Sequence, residues 1–206
     1  MTCDKFAAHY MLSPEGELLK WPVITIRRDG VILKTEWHKD RFKEQHGVRF
    51  YSGILLPAFV DIWWEYPSAQ PRETLKNIHF HFRNGTILLG IPGATATPFS
   101  KSREYPIIVS ERLKYLQPQI FPDLGNDNRL SQFEKIKKVL LHNKNISLCE
   151  ILSAATDEAA RTARRPELGR LEPGCSPGLL LLQNADLVHL KIASHSTIKW
   201  LNVPEN

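Results

Sequence analysis

Apolar positions along the chain change their spacing twice, and the changes divide it into three blocks. The first block, about Phe6–Leu56, reads as strands. Val23–Arg27 and Val31–Lys34 flank Asp29-Gly30, a hairpin signal because glycine supplies the positive φ that the turn needs. Phe50–Leu56 is a further apolar run, ended by Pro57, and the charged stretch Glu36–Gly47 before it reads as a loop or a short helix. The middle block, Pro57–Asn128, is rich in turn residues. It holds a strand at Thr86–Ile91, bounded by Gly85 and Pro92-Gly93, an apolar stretch at Tyr105–Val109 and a short helix over Ser110–Leu116. Gly93–Ser102 carries no apolar pattern and reads as loop.

The third block opens with two helices. Leu130, Phe133, Ile136, Val139 and Leu140 recur at helical spacing behind an S-x-x-E capping box, Ser131 with Glu134. Ser147 and Glu150 repeat the box ahead of Leu148, Ile151, Leu152, Ala155 and Ala159, and Pro166 stops that helix. Strands follow at Gly178–Leu182, Leu187–Ile192 and Thr197–Leu201. Strands thus sit at both ends with helices between, and neither end alone can bury its apolar face. The economical arrangement packs the two ends together as one sheet or sandwich with the middle as an insert. The expectation is an α+β chain, residues 1–56 and 166–206 forming a composite β-sandwich and residues 57–165 a second unit.

Composition narrows the class. At 206 residues, with 42% hydrophobic and 24% charged positions, the chain can bury a sizeable core and is not a disordered sequence. No apolar run approaches the ~18 residues of a membrane span. Met1–Lys5 carries Asp4 and Lys5 with no apolar segment behind them, which reads as no signal peptide. Cys3, Cys149 and Cys175 are odd in number and lack CxxC spacing, so a disulfide framework and a zinc knuckle are not expected and a reducing, cytoplasmic setting is. The formal charge of +5 comes partly from Lys135, Lys137 and Lys138 on one helix and Arg161, Arg164 and Arg165 at the end of the next. Without interleaved aromatics these read as solvated helix faces, and nucleic acid is not an expected partner.

Three segments, in order, resemble the amidohydrolase superfamily, in its chlorohydrolase and cytosine-deaminase-like branch. Tyr51-Ser52-Gly53-Ile54-Leu55-Leu56-Pro57-Ala58-Phe59-Val60-Asp61 resembles the family's entry into its barrel, a P-G-(F/L)-(I/V)-(D/N)-x-H-x-H signature. Ala154–Arg161 resembles its A-T-x-N-x-A-(R/K) helix, and Leu168–Leu182 its G-x-(I/L)-E-P-G return strand. The resemblance covers about Ala8–Asp61 and Gly125–Leu201. It implies a small sandwich from both chain ends and a β/α barrel with a metal-assisted hydrolytic site.

Two departures accompany it. Where the family has H-x-H, this sequence has Trp63 and Glu65 around Trp64, and an indole nitrogen donates only and cannot ligate zinc. Between Glu65 and Asp127 lie only 61 residues, 66 to 126. A βαβ unit needs ~30 residues and a whole barrel ~250, so the resemblance implies a truncated barrel remnant. Its strand 1 is placed at Ile54–Asp61 and its strand 8 near Gln119–Asp127, with room for two βα units between.

The candidate residues follow from that placement. Gly125-Asn126-Asp127-Asn128 resembles the family's G-T-D-S, whose aspartate is metal ligand and general base; without a metal, Asp127 reads as a cap for the helix near Leu130. His79-Phe80-His81 restores an H-x-H on paper, but the resemblance places it on a helix, where i and i+2 point apart. Trp63 and Trp64, with Tyr66 and Pro67, either stack a flat heterocycle or plug the hole left by the lost barrel interior. Cys175 sits in a turn and reads as a structural thiol. The leading expectation is a catalytically degenerate amidohydrolase relative with no cofactor, working as a homodimer or with a protein partner. The alternative is a C–N hydrolase or deaminase whose zinc or other divalent metal is held by Glu65, His79, His81 and Asp127.

Overall fold

The computed structural model describes residues 3–62, 71–92, 106–110 and 129–204. Its first strands are β1 (Cys3–Leu12), β2 (Leu18–Lys20), β3 (Val23–Arg27), β4 (Ile32–Glu36) and β5 (Val48–Pro57). The chain's other end supplies β9 (Leu179–Gln183) and β10 (Thr197–Asn202). Together they form one seven-stranded sheet in the order β10-β9-β5-β1-β3-β4, with β2 beside β1. The sheet is mixed: β5 runs parallel to β1 and antiparallel to β9. Joining the two chain ends is therefore the work of the β5–β9 ladder, Ile54 opposite Leu182 through Pro57 opposite Leu179.

The apolar runs are continuous at that seam because it is buried on both faces. Ile54, Leu56, Leu180 and Leu182 point into the core under the helices, while Leu55, Leu179 and Leu181 point into a second core with Phe6, Met11 and Ile24. A strand covered on both sides loses the apolar-polar alternation of a half-exposed one. Gly53 belongs to the same seam. Its φ is +145°, and a Cβ there would lie 2.2 Å from the Leu182 carbonyl oxygen, so only glycine lets β5 and β9 approach. Gly30, at φ +90°, closes the β3–β4 turn expected of Asp29-Gly30.

The expected single strand Ile54–Asp61 is two strands in two sheets. Pairing with β9 ends at Pro57; Ala58 then donates to the Pro177 carbonyl (3.3 Å), and Phe59 donates instead to Gly85 (2.8 Å). This starts β6 (Phe59–Asp61), which with β7 (Thr86–Pro92) and β8 (Ile107–Ser110) forms a parallel three-stranded sheet. A parallel pair needs a crossover, and α1 (Pro71–Arg83) lies between β6 and β7 in the chain.

Both capping boxes close. Ser131 caps α2 (Gln132–His142) and Ser147 caps α3 (Leu148–Ser153), each with its glutamate returning the bond. From α3 the helix continues through a π-helical turn, Ala154–Glu158, into α4 (Ala159–Thr162), and Pro166 opens a 3₁₀ turn, Pro166–Leu168. The π turn carries Asp157, which holds Arg161 (2.8 Å) and Arg170 (2.6 Å) and so ties the helix to the return segment. The architecture is a mixed α/β one with few helices, in keeping with an α+β chain.

One expected strand is absent. Leu187–Ile192 is a turn closed by the isolated bridge Asp186–Lys191. Asp186 Oδ1 accepts from the amides of Val188 and His189, both at 3.0 Å, and its other oxygen meets His189 Nδ1 at 2.7 Å. A side chain that satisfies local amides outcompetes a ladder. Those bonds also pull the Asp186 carboxyl down to about 2, with the His189 amide the largest contributor. Ser110–Leu116, Gly93–Ser102 and the Gln119–Asp127 strand lie on or mostly on residues outside those described.

Candidate functional site

The described residues bring one charged cluster together at the end of β6. Asp61 is the strand's last residue. His81 projects from the inward face of α1, where Thr74, Ile78 and His81 recur at i, i+4 and i+7 and are all buried. Lys135 projects from α2, whose buried residues are Gln132, Phe133, Lys135, Ile136 and Val139. Lys135 Nζ donates to Asp61 Oδ2 at 2.9 Å, and His81 Nδ1 lies 3.4 Å from the same oxygen. The three side chains are 2%, 4% and 0% exposed for Lys135, Asp61 and His81.

Burial by itself would push the Asp61 carboxyl upward. The Lys135 ammonium and His81 outweigh it and hold the group well below the usual carboxylate range. The carboxylate is thus ionised, dry and neutralised. Lys135 is the residue that sequence reasoning missed, because the three lysines of α2 were expected on a solvated face. A signal existed: Gln132, Lys135 and Val139 share one side of the helix, and Val139 belongs to the apolar stripe.

His79 and His81 part company. His79 is exposed on the outer face of α1, beside a surface cavity of about 560 Å³ that Arg72, Lys76 and Arg83 also line, while His81 is buried with its Nδ1 close to Asp61. Asp127, Glu65, Trp63 and Trp64 lie outside the described residues. Among the described residues no three His, Cys, Asp or Glu side chains converge on a point where a metal ion could sit. Among the described residues, Asp61 is met by an ammonium, which cannot ligate a metal, and by one imidazole near the same carboxylate oxygen. All three cysteines are free; burial raises the thiols of Cys149 and Cys175, which disfavours the nucleophilic thiolate.

No protein-family model matches the sequence, and no curated protein matches it. Solved structures do. A candidate prolidase from Bifidobacterium longum aligns over 99% of this chain and 96% of its own, at 12% identity and a TM-score of 0.53. An adenosine deaminase from Xanthomonas campestris, with bound zinc, aligns over 90% of this chain and 86% of its own, at 11% identity and a TM-score of 0.52. An amidohydrolase structure aligns over 53% of this chain at 18% identity and a TM-score of 0.40, and the alignment spans about a third (31%) of that protein. The structural neighbours are amidohydrolase-family proteins, and what the chain shares with them is the fold.

Proposed function

We propose that the chain is a catalytically degenerate relative of the amidohydrolases that serves in binding or assembly. The observation supporting this most directly is the buried ion pair of Asp61 with Lys135, with His81 beside the same carboxylate oxygen. The acid that heads the D-x-H-x-H-like segment is consumed by a lysine of the same chain at 2.9 Å. Two residues further on, Trp63 stands where the resembling family has a ligand, and its indole has no lone pair to offer a metal. What Asp61, His81 and Lys135 do is join β6, α1 and α2 through one buried charge pair. In this reading residues 57–165 are a barrel remnant inserted in a composite unit of residues 1–56 and 166–206, and open strand edges favour a homodimer or a protein partner.

The test is metal content by plasma mass spectrometry on protein purified without a histidine tag, before and after zinc, iron or manganese supplementation. Well under one equivalent per chain is expected. About one equivalent, lost in His79→Ala or Asp127→Ala, would replace this reading with a metal-dependent C–N hydrolase. Sedimentation at low concentration checks assembly, where a clean monomer counts against it.

A further inference from the structure

Trp21 holds φ at +51°, left-handed backbone that a bulky side chain adopts only under strain. The surroundings enforce it. Its amide donates to the His9 carbonyl at 3.0 Å, and the carbonyl of Lys20 accepts from His38 at 3.3 Å. In this pose the indole is packed against three rings, with centroids at 5.4 Å for His9, 6.2 Å for Phe50 and 6.4 Å for Phe42. Phe50 remains 42% exposed, so the cluster sits at the surface rather than in either core.

The same indole lines a cavity of about 390 Å³, with His9, Tyr10, Lys20, Lys39 and Asp40. Leu187 and Val188 complete it, brought there by the turn that replaces the expected strand. Val188 is 86% exposed, and nothing in its own turn explains an apolar residue so placed. Lys20 and Lys39 are exposed and form no ion pair among the described residues. His9 Nδ1 accepts from the Gly53 amide (3.4 Å), which leaves the imidazole proton on Nε2 as a donor.

We propose that this cavity binds a nucleotide-class small molecule: a flat heteroaromatic ring carrying phosphate. Aromatic walls bind a ring by stacking, and two unpaired ammonium groups complement an anion attached to it. Asp40, the one acid lining the cavity among the described residues, accepts from a ring amine or a sugar hydroxyl. The volume lies at the small end of ligand sites, which suits a mononucleotide rather than a larger cofactor. The site shares no residue with the Asp61 cluster and does not depend on whether the barrel remnant is degenerate.

Two-dimensional NMR of the five tryptophan indoles, with equilibrium dialysis for affinity, tests it on the full chain. The probes are adenosine monophosphate, adenosine, inorganic phosphate and a short oligoadenylate. Adenosine monophosphate is expected to shift the Trp21 indole with a Kd of roughly 10 µM to 1 mM. Trp200, whose indole donates to the Phe82 carbonyl at 3.0 Å, is the internal control and stays unmoved. Adenosine binds about tenfold more weakly, and phosphate alone leaves the indole in place. Lys20→Gln combined with Lys39→Gln, both surface changes, weakens the nucleotide about tenfold without altering the fold. The proposal is overturned by an unmoved Trp21 indole at about 5 mM nucleotide, a concentration about fivefold above the weakest Kd expected. Affinity indifferent to the lysine changes, or binding of the oligonucleotide alone, overturns it equally.

Discussion

Lys135→Met removes the ammonium from the buried cluster while keeping most of the side chain's volume. At 2.9 Å and an effective dielectric near 20, the attraction between Lys135 and Asp61 is about 6 kcal/mol. That is not the net contribution, since burying the ammonium carries a desolvation cost which the variant no longer bears. Removing one partner of a buried pair costs about 3–5 kcal/mol, because the other charge is left dry and uncompensated. For a chain of 206 residues this corresponds to a fall in Tm of roughly 10 °C. The assay is urea unfolding followed by circular dichroism, run as a double-mutant cycle with Asp61→Asn. Each single variant is expected to lose about 3–5 kcal/mol and the double variant to recover at least ~2 kcal/mol of the summed losses. Additivity within ~0.5 kcal/mol would refute the reasoning, since two side chains that do not interact are lost independently.

The cluster also has a pH signature. In the wild type the folded-state carboxyl of Asp61 lies below its unfolded value of about 3.9, so its stabilisation is present above that value and lost as pH falls below it towards the folded value. In Lys135→Met burial dominates and the order reverses: the carboxyl is raised on folding, and the deficit against wild type should shrink as pH falls from 7 to 5 in urea titrations. A deficit that grows over that interval would contradict the assignment. At the β5–β9 seam, Gly53→Ala places a Cβ 2.2 Å from the Leu182 oxygen and is expected to cost more than about 3 kcal/mol of unfolding free energy in urea titrations. Gly47→Ala is its control: φ is +74° with open space around it, so a loss of about 1 kcal/mol is expected, and equal losses at both sites would remove the packing explanation.

What could be read in the sequence was local chemistry. The Asp29-Gly30 hairpin, both capping boxes and the Pro166 stop are written within four residues of where they act, and each is found in place. The union of the chain ends was legible for a different reason: two apolar strand groups too small to bury their own faces have few other ways to do so. The failures share a cause. Leu187–Ile192 has the composition of a strand, yet Asp186 offers its amides a partner closer than any ladder. Ile54–Asp61 is one apolar run but two strands, because the partner changes from β9 to β7 at Ala58 and an apolar pattern does not name its partner.

Lys135 is the case that matters for function. Its partner stands 74 residues away in the chain, on a strand whose start was not resolved by pattern. A lysine among lysines on an amphipathic helix is solvated by default, and the default fails only when a buried carboxylate waits at the right place. Here the acid lies in the segment that most resembles a hydrolase, so the same residue carries both the resemblance and the departure from it. An enzyme evolving from this cluster would have to free Asp61 first, and freeing it would cost the fold the charge pair that joins β6 to α1 and α2. The proposed binding role asks no such trade: it can use surfaces such as the Trp21 cavity, whose residues lie on the seven-stranded sheet and its turns rather than on β6, α1 or α2.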